Sequence, residues 1–287
     1  MSIFANKINI GKNVELSPDT EIICDRISIG EGTVITGNTK ITCKECAIGK
    51  NNFLSGVLIE GSLNAGNTRI KIGDECMILQ NTRLNCNDYL EIGNDVNTGD
   101  VKIFTHSSSM NVFKGYPFHK APVKIGSHVW INIGSIILPH VTIGSNVIIA
   151  NNSVVNKDIP DSCFAGGVPA RIIKENAFPK KLDSNEKQKI MRDCIKEYKV
   201  LLELKPFSAT LKVIKNQIMF ETDGKRTYFD CDTKEIKGEI NKFSEDFRDF
   251  LRYQGIKFFT GKPFKSVLPT WYIDARSPLD DTIIFIK

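Results

Sequence analysis

At 287 residues, with 41% hydrophobic and 25% charged side chains, the chain has the size and balance of one large or two modest globular domains. Its net charge of +5 is mild and no stretch concentrates it with aromatics, which argues against a nucleic-acid binder. Residues 1–9 lack a basic-then-apolar leader pattern and no apolar run reaches spanning length, so a cytoplasmic protein with no membrane span is expected.

Read from the start, apolar residues recur every six positions. Ile8, Val14 and Thr20 form one row, and Ile10, Leu16 and Ile22 a second. Ile27, Thr33, Thr39 and Ile29, Ile35, Ile41 repeat both rows one turn later. Ile48, Ile70/Ile72 and Leu90/Ile92 open later turns, with Ile78 and Leu84 in step. The longest unbroken rows are Ile125, Ile131, Ile137, Ile143, Ile149, Val155 and Val123, Val129, Ser135, Val141, Val147, Ser153. A period of six fits neither an amphipathic helix nor a hairpin strand. It fits a solenoid of short flat strands, three to a coil, with small residues where the faces bend.

Ile residues at 10, 29, 48, 72, 92, 125 and 143, each followed by Gly, mark the coils at intervals of 19, 19, 24, 20, 33 and 18. The interval of 33 leaves room for a loop from about Thr105 to Ala121, and loops thrown out of a rigid scaffold are where functional groups concentrate. The eight cysteines are scattered, as reduced thiols are. Cys43 and Cys46 have no second pair and no nearby histidine, so plain packing or exposure is expected there and not zinc.

The repeat stops after Lys174, which divides the chain into a solenoid domain over 1–178 and a C-terminal α+β domain over 179–287. Residues 178–181 read as a linker. Residues 184–205 read as an amphipathic helix capped by Ser184, with Ile190, Met191, Cys194, Ile195, Tyr198, Leu201 and Leu202 on its apolar face. Strands are expected over 210–214, 218–222 and 228–231, with a hairpin turn at Asp223-Gly224. A second helix over 244–254, capped by Ser244 and stopped by Gly255, and strands over 257–259 and 282–286 complete the reading.

The segment Ile125-Gly126, Val129-Trp130-Ile131, Leu138-Pro139, Thr142-Ile143-Gly144, Lys157-Asp158-Ile159-Pro160 and Ala165-Gly166-Gly167-Val168-Pro169-Ala170-Arg171 resembles the hexapeptide-repeat acyltransferases. The likeness is to the branch of galactoside, maltose and xenobiotic O-acetyltransferases and their relatives in surface-polysaccharide synthesis. It covers roughly the first 175 residues and is densest after Val101. The resemblance implies a left-handed parallel β-helix, an exception to the usual crossover hand. It also implies acetyl-CoA as donor, a carbohydrate acceptor, no metal, and a homotrimer with active sites at subunit interfaces.

His106 stands 24 residues before Trp130, the place of the family's catalytic histidine relative to that tryptophan. A histidine supplies a base of near-neutral pKa for attack of a hydroxyl on a thioester. Taken alone it reads sooner as a surface histidine in a loop; the resemblance turns the reading to catalysis. His119, at the loop's exit, is the second candidate, while His128 and His140 fall between inward rows and face solvent or a neighbour. The resemblance assigns Asn156 and Lys157, Arg171 and Lys174, and the backbone around Asn151, Ala165 and Gly166, to the CoA moiety. Cations answer its phosphates, though Arg171 and Lys174 also fit a solvated basic edge. Asn151 departs from the family's small residue. Trp130 would flank the thioester, and the N–H groups of Ile133 and Gly134 would hold the oxyanion. Asn85, Asn87 and Asp88 occupy the coil where galactoside-type relatives bind sugar hydroxyls, at a spacing to His106 three residues shorter; corner polar residues are equally turn formers.

The expected function is therefore acetyl-CoA-dependent O-acetylation of a carbohydrate, in capsule or O-antigen synthesis, with N-acetylation of an amino sugar as the rival. Serine acetyltransferases carry a helical domain before their coils. The carbonic anhydrases of this fold need a His-x-x-x-x-His pair, which this chain lacks. A non-catalytic scaffold is the remaining reading.

Overall fold

The computed structural model describes residues 1–64, 66–107 and 110–267. The chain divides into two units, one of residues 1–180 with 261–263, the other of residues 181–260 with 264–287. The expected strand over 282–286 lies outside the described residues.

The first unit is a left-handed β-helix of triangular section. Its first face is built of Leu58–Glu60, Arg83–Asn85, Lys102–Ile103, Ile136–Ile137 and Val154–Val155. The second is built of Arg69–Ile72, Tyr89–Ile92, Val123–Ile125 and Thr142–Ile143. The third runs from Glu15–Leu16 through Val34–Thr36, Phe53–Ser55, Met77–Ile78, Asn97–Thr98, Trp130–Ile131 and Ile148–Ile149 to Phe164–Gly167. In the first three coils the first and second faces are single strands, Ser2–Ile10, Glu21–Ile29 and Lys40–Ile48, that run through the corner without a break. Lys40–Ile48 pairs with Leu58–Glu60 at one end and Arg69–Ile72 at the other, and from there the corner opens.

The six-spaced rows are the inward columns. Ile125, Ile131, Ile137, Ile143, Ile149 and Val155 are all buried in one core with Val123, Val129, Val141 and Val147. Cys43 and Cys46 pack in this core. Ile8 and Ile10 follow the pattern but stay 53% and 41% exposed, because the first coil has a neighbour on one side alone.

The Ile-Gly marker has a steric cause. At the corner between the second and third faces each glycine stacks on the backbone of the next coil. A Cβ on Gly30 would meet Gly49 at 2.5 Å, and one on Gly93 would meet Gly126 at 2.7 Å. The following residue donates its N–H to the side chain one coil on, as in Asp74 to Asn94 Oδ1 (2.8 Å) and Asn94 to Ser127 Oγ (3.0 Å). The next position has positive φ and is held by Asn51, Glu75, Asp95, His128, Asn146 and Ser162 in successive coils. Asn and Asp tolerate this conformation better than most residues. His128 is thus a turn residue, and so is His140, at φ 71.

In the second unit, α1 (Ser184–Leu202) begins one residue earlier in its capping than expected: Asp183 is the cap, in a capping box with Glu186. The buried stripe is Met191, Cys194, Ile195 and Tyr198, whereas Ile190 and Leu201 are exposed. Strands Thr210–Ile214, Gln217–Thr222, Lys225–Asp230 and Ile236–Gly238 form an antiparallel sheet. Asp223-Gly224 makes the tight turn between the second and third of these strands, with both residues at positive φ. Helix α2 (Lys242–Tyr253) is capped by Asn241, with Ser244 returning the second bond of the box. No strand forms over 257–259; the Phe258 carbonyl instead accepts from the buried Arg248 guanidinium at 2.9 Å.

Candidate active site at the corner of the first and second faces

Three consecutive insertions leave the solenoid at one corner. They fall after Leu58–Glu60, after Arg83–Asn85 and after Lys102–Ile103. The third is the predicted loop. Its base is a short antiparallel ribbon of His106–Ser107 on His119–Lys120, and its tip carries a 3-10 turn, Val112–Lys114. His106 is therefore held at the root of the loop. His119 lies across the ribbon, opposite Ser107, and is exposed.

The imidazole is fixed by the coil beneath. Asn85 Oδ1 lies 2.9 Å from His106 Nδ1 and also accepts from the Thr105 hydroxyl at 3.0 Å. A carboxamide oxygen can only accept, so the Asn85 contact calls for the tautomer with the proton on Nδ1 and the lone pair on Nε2. Asn87 Nδ2 sits 3.2 Å from Nδ1 and 3.5 Å from Nε2, and in this tautomer only Nε2 can accept from its NH₂ group. Its own oxygen accepts from the Ser62 N–H at 2.8 Å, which turns the NH₂ group toward the ring. Ser62, Asn87 and His106 thus link all three insertions. Thr105 Oγ1 also accepts from the Asp88 N–H at 3.0 Å, and Asp88 Oδ1 accepts from the Tyr89 N–H at 2.7 Å.

This arrangement changes the part expected of Asn85. It is 2% exposed and spends its oxygen on His106 and Thr105, so it positions the imidazole and presents nothing to a sugar. Asn87 and Asp88 are half-buried beside it. Ser62 and Thr105 were not anticipated; the long interval between Ile48 and Ile72 was the one trace of Ser62's insertion.

The residues expected to meet CoA fall on two corners. Asn156 and Lys157 are exposed at the His106 corner, two coils on, in the column Phe104, Leu138, Asn156. Ile133, Gly134, Asn151 and Gly166 lie at the corner of the third and first faces. Trp130 stands outward on the third face, 52% exposed, in a groove of about 500 Å³ with Asn97, Ile148 and Phe178. Ala165 is buried. Phe164–Gly167 is followed by an antiparallel return strand, Ala170–Lys174, which pairs Gly166 with Arg171 and Phe164 with Lys174. Gly166 is required by crowding: its Cβ would meet that of Ala150 at 2.7 Å.

One expected oxyanion donor is already engaged. The Gly134 N–H donates to the Asp100 carbonyl at 3.0 Å. It belongs to a ladder that runs through the same corner, with Asp100 N–H on Gln80 and Asn152 N–H on Ile133. The Gly134 N–H is thus committed within the solenoid and is not a free donor for an oxyanion. The Ile133 residue is exposed.

The bacterial transferase hexapeptide (six repeats) family model matches residues 122–157. Protein CapG of Staphylococcus aureus is 41% identical over 148 residues, covering 45% of this chain and 85% of that one. Galactoside O-acetyltransferase of Escherichia coli (strain K12) is 38% identical over 90 residues, 28% of this chain and 44% of the enzyme. Among solved structures, that of the polysialic acid O-acetyltransferase OatWY superimposes with a TM-score of 0.54 at 20% identity, over 63% of this chain and 93% of that one. No described helix is long and apolar enough to cross a membrane. The chain is an acyltransferase and belongs to the hexapeptide-repeat β-helix acetyltransferases.

Proposed function

We propose that the protein transfers an acetyl group from acetyl-CoA to a hydroxyl of a carbohydrate, with His106 as general base. The observation that carries this is the contact of His106 Nδ1 with Asn85 Oδ1 at 2.9 Å, which leaves Nε2 as the basic nitrogen. In the reaction Nε2 takes the hydroxyl proton as the oxygen attacks the thioester carbonyl. The C–S bond then breaks, the imidazolium returns its proton to the CoA sulfur, and an acetyl ester leaves. Such a base contributes about 10²–10⁴-fold. Lys157, Arg171 and Lys174 are exposed cations suited to the phosphates of CoA. Trp130 lies on the apolar third face, and the Ile133 amide is the remaining candidate oxyanion donor.

His106 and Ile133 border opposite sides of the first face: Ile133 lies five residues, or about 16 Å at ~3.3 Å per residue, before Leu138, which stacks on Phe104 at the His106 corner. A catalytic assembly that uses both draws them from two copies, which favours the homotrimer. The third face supports the same reading. After Glu15, its outward column runs Val34, Phe53, Met77, Asn97, Trp130, Ile148 and Phe164, a mainly apolar strip of the kind oligomers cover.

The test is the product. Incubation with acetyl-CoA and a panel of glycosides, nucleotide sugars and polysaccharide fragments is expected to give a product heavier by one acetyl group and labile to base. A base-stable product would transfer the assignment to an amino-sugar N-acetyltransferase with the same cofactor residues. No acetylated product from any acceptor would defeat both.

A further inference from the structure

The second face carries a groove of about 520 Å³, lined by Lys7, Arg26, Glu45, Arg69, Lys71 and Tyr89 with the small residues Asn9, Ser28 and Ala47. The β-ladder sets Lys7, Arg26, Glu45, Arg69 and Tyr89 in one outward column, each on the next coil. At ~4.8 Å between paired strands that column is about 19 Å long. The neighbouring column starts with Asn9, Ser28 and Ala47 and continues with Lys71. Its short side chains leave the trough open between coils.

The lining is cationic, with four basic side chains against the one carboxylate of Glu45. Arg26 pairs with Glu45, and Lys71 with Glu91 at 3.4 Å. Both pairs are solvent-exposed, and such pairs contribute little to stability, so a ligand carboxylate can replace the partner at small cost. The Arg69 guanidinium stacks 4.6 Å from the centre of the Tyr89 ring, forming a flat platform at the end of the trough. That end joins the site. Tyr89 N–H donates to Asp88, and Asp88 N–H to Thr105, the residue before His106. The second face also differs from the apolar third face in having charged outward side chains, so it is the face an oligomer leaves open.

We propose that this groove is an acceptor subsite for a carboxylate-bearing oligosaccharide, which lies across the coils and brings one hydroxyl to His106. The proposal rests on the carbohydrate reading above and adds that the acceptor is acidic and longer than a single sugar. Cations spaced along the coils suit repeated carboxylates, and the Arg69–Tyr89 platform suits the flat apolar face of a sugar ring.

Binding to the full-length chain, measured by calorimetry in the absence of acetyl-CoA, tests it apart from catalysis. The probes are short oligomers of galacturonate, of alginate and of hyaluronan, with a dextran oligomer of equal length as the neutral control. At least one acidic oligomer is expected to bind wild type and His106→Ala alike, more weakly as salt is raised. The double substitution Lys7→Glu with Arg69→Glu is expected to weaken that binding at least about tenfold, with an unchanged melting temperature. Binding of dextran as tight as that of the acidic chains, no binding of any acidic oligomer, or undiminished binding by the double variant would overturn the proposal. Loss of acetyl transfer with acidic-oligomer binding intact would count against the enzymatic reading and not against the groove.

Discussion

Replacement of His106 by alanine is expected to lower turnover about 10²–10⁴-fold. Acetyl-CoA affinity and the melting temperature are expected to stay at their wild-type values. The ring is half-buried at the root of a ribbon and its bonds are to Asn85 and Asn87, so its removal takes away the base and little of the core. Steady-state kinetics with the acceptor found in the product screen, together with equilibrium binding of acetyl-CoA, separates the two effects. A fall below about tenfold would mean that another group or solvent removes the proton, since general bases in such sites contribute far more. A matching loss of acetyl-CoA affinity would place His106 in cofactor binding.

The other large effect is expected in the second unit, at Asp246. This carboxylate is fully buried on α2 and accepts from the Tyr198 hydroxyl at 2.6 Å, the Lys205 ammonium at 2.7 Å and the Val267 N–H at 2.6 Å. Lys205 has a side chain just 9% exposed and also donates to the Val267 carbonyl. Burial, with the Asp246 charge beside it, holds the Tyr198 hydroxyl well above its ordinary pKa, so it stays a donor. Asp246→Ala strands an ammonium, a hydroxyl and an amide in the interior, a change that costs about 3–5 kcal/mol for a buried pair. Urea unfolding followed by proteolysis of the second unit measures it. A shift under about 1 kcal/mol would mean that water replaces the carboxylate, as it does at exposed pairs.

Much of the solenoid was legible because its physics is local and periodic. An inward row at six-residue spacing needs nothing beyond the next residue of the row, and Ile125 to Val155 obey it without a break. The corners were legible as small residues, but the reason for them was not. Gly93 is required by the backbone of Gly126, 33 positions later, and no local pattern announces that contact. The same limit governed the site. His106 was reachable through its interval to Trp130, whereas the part played by Asn85 depends on register between coils separated by insertions of unequal length. Asn85, Asn87 and Asp88 therefore read as one polar cluster in the sequence, yet Asn85 faces inward to the imidazole.

In the sequence Gly134 reads as a free donor for a related reason. Its amide is committed to Asp100 of the preceding coil, and that bond follows from the stacking of whole coils. In the second unit, helix starts shifted where two capping residues stood close together. Asn241 and Ser244 are both good caps, and the box uses both, with Asn241 at its head. Over 257–259 no strand forms, and the Phe258 carbonyl is taken as a partner by Arg248 of α2.

Catalysis through Nε2 requires the proton of the neutral His106 ring to sit on Nδ1. Two-bond ¹H–¹⁵N correlation spectra of protein labelled at histidine, assigned through His106→Ala, measure this directly at a pH where the ring is neutral. The expected result is the Nδ1–H tautomer, giving way to a mixture with Nε2–H when Asn85 is changed to leucine. A wild-type ring found as the Nε2–H tautomer would place the lone pair on the nitrogen facing Asn85 and contradict the assignment of Nε2 as the base.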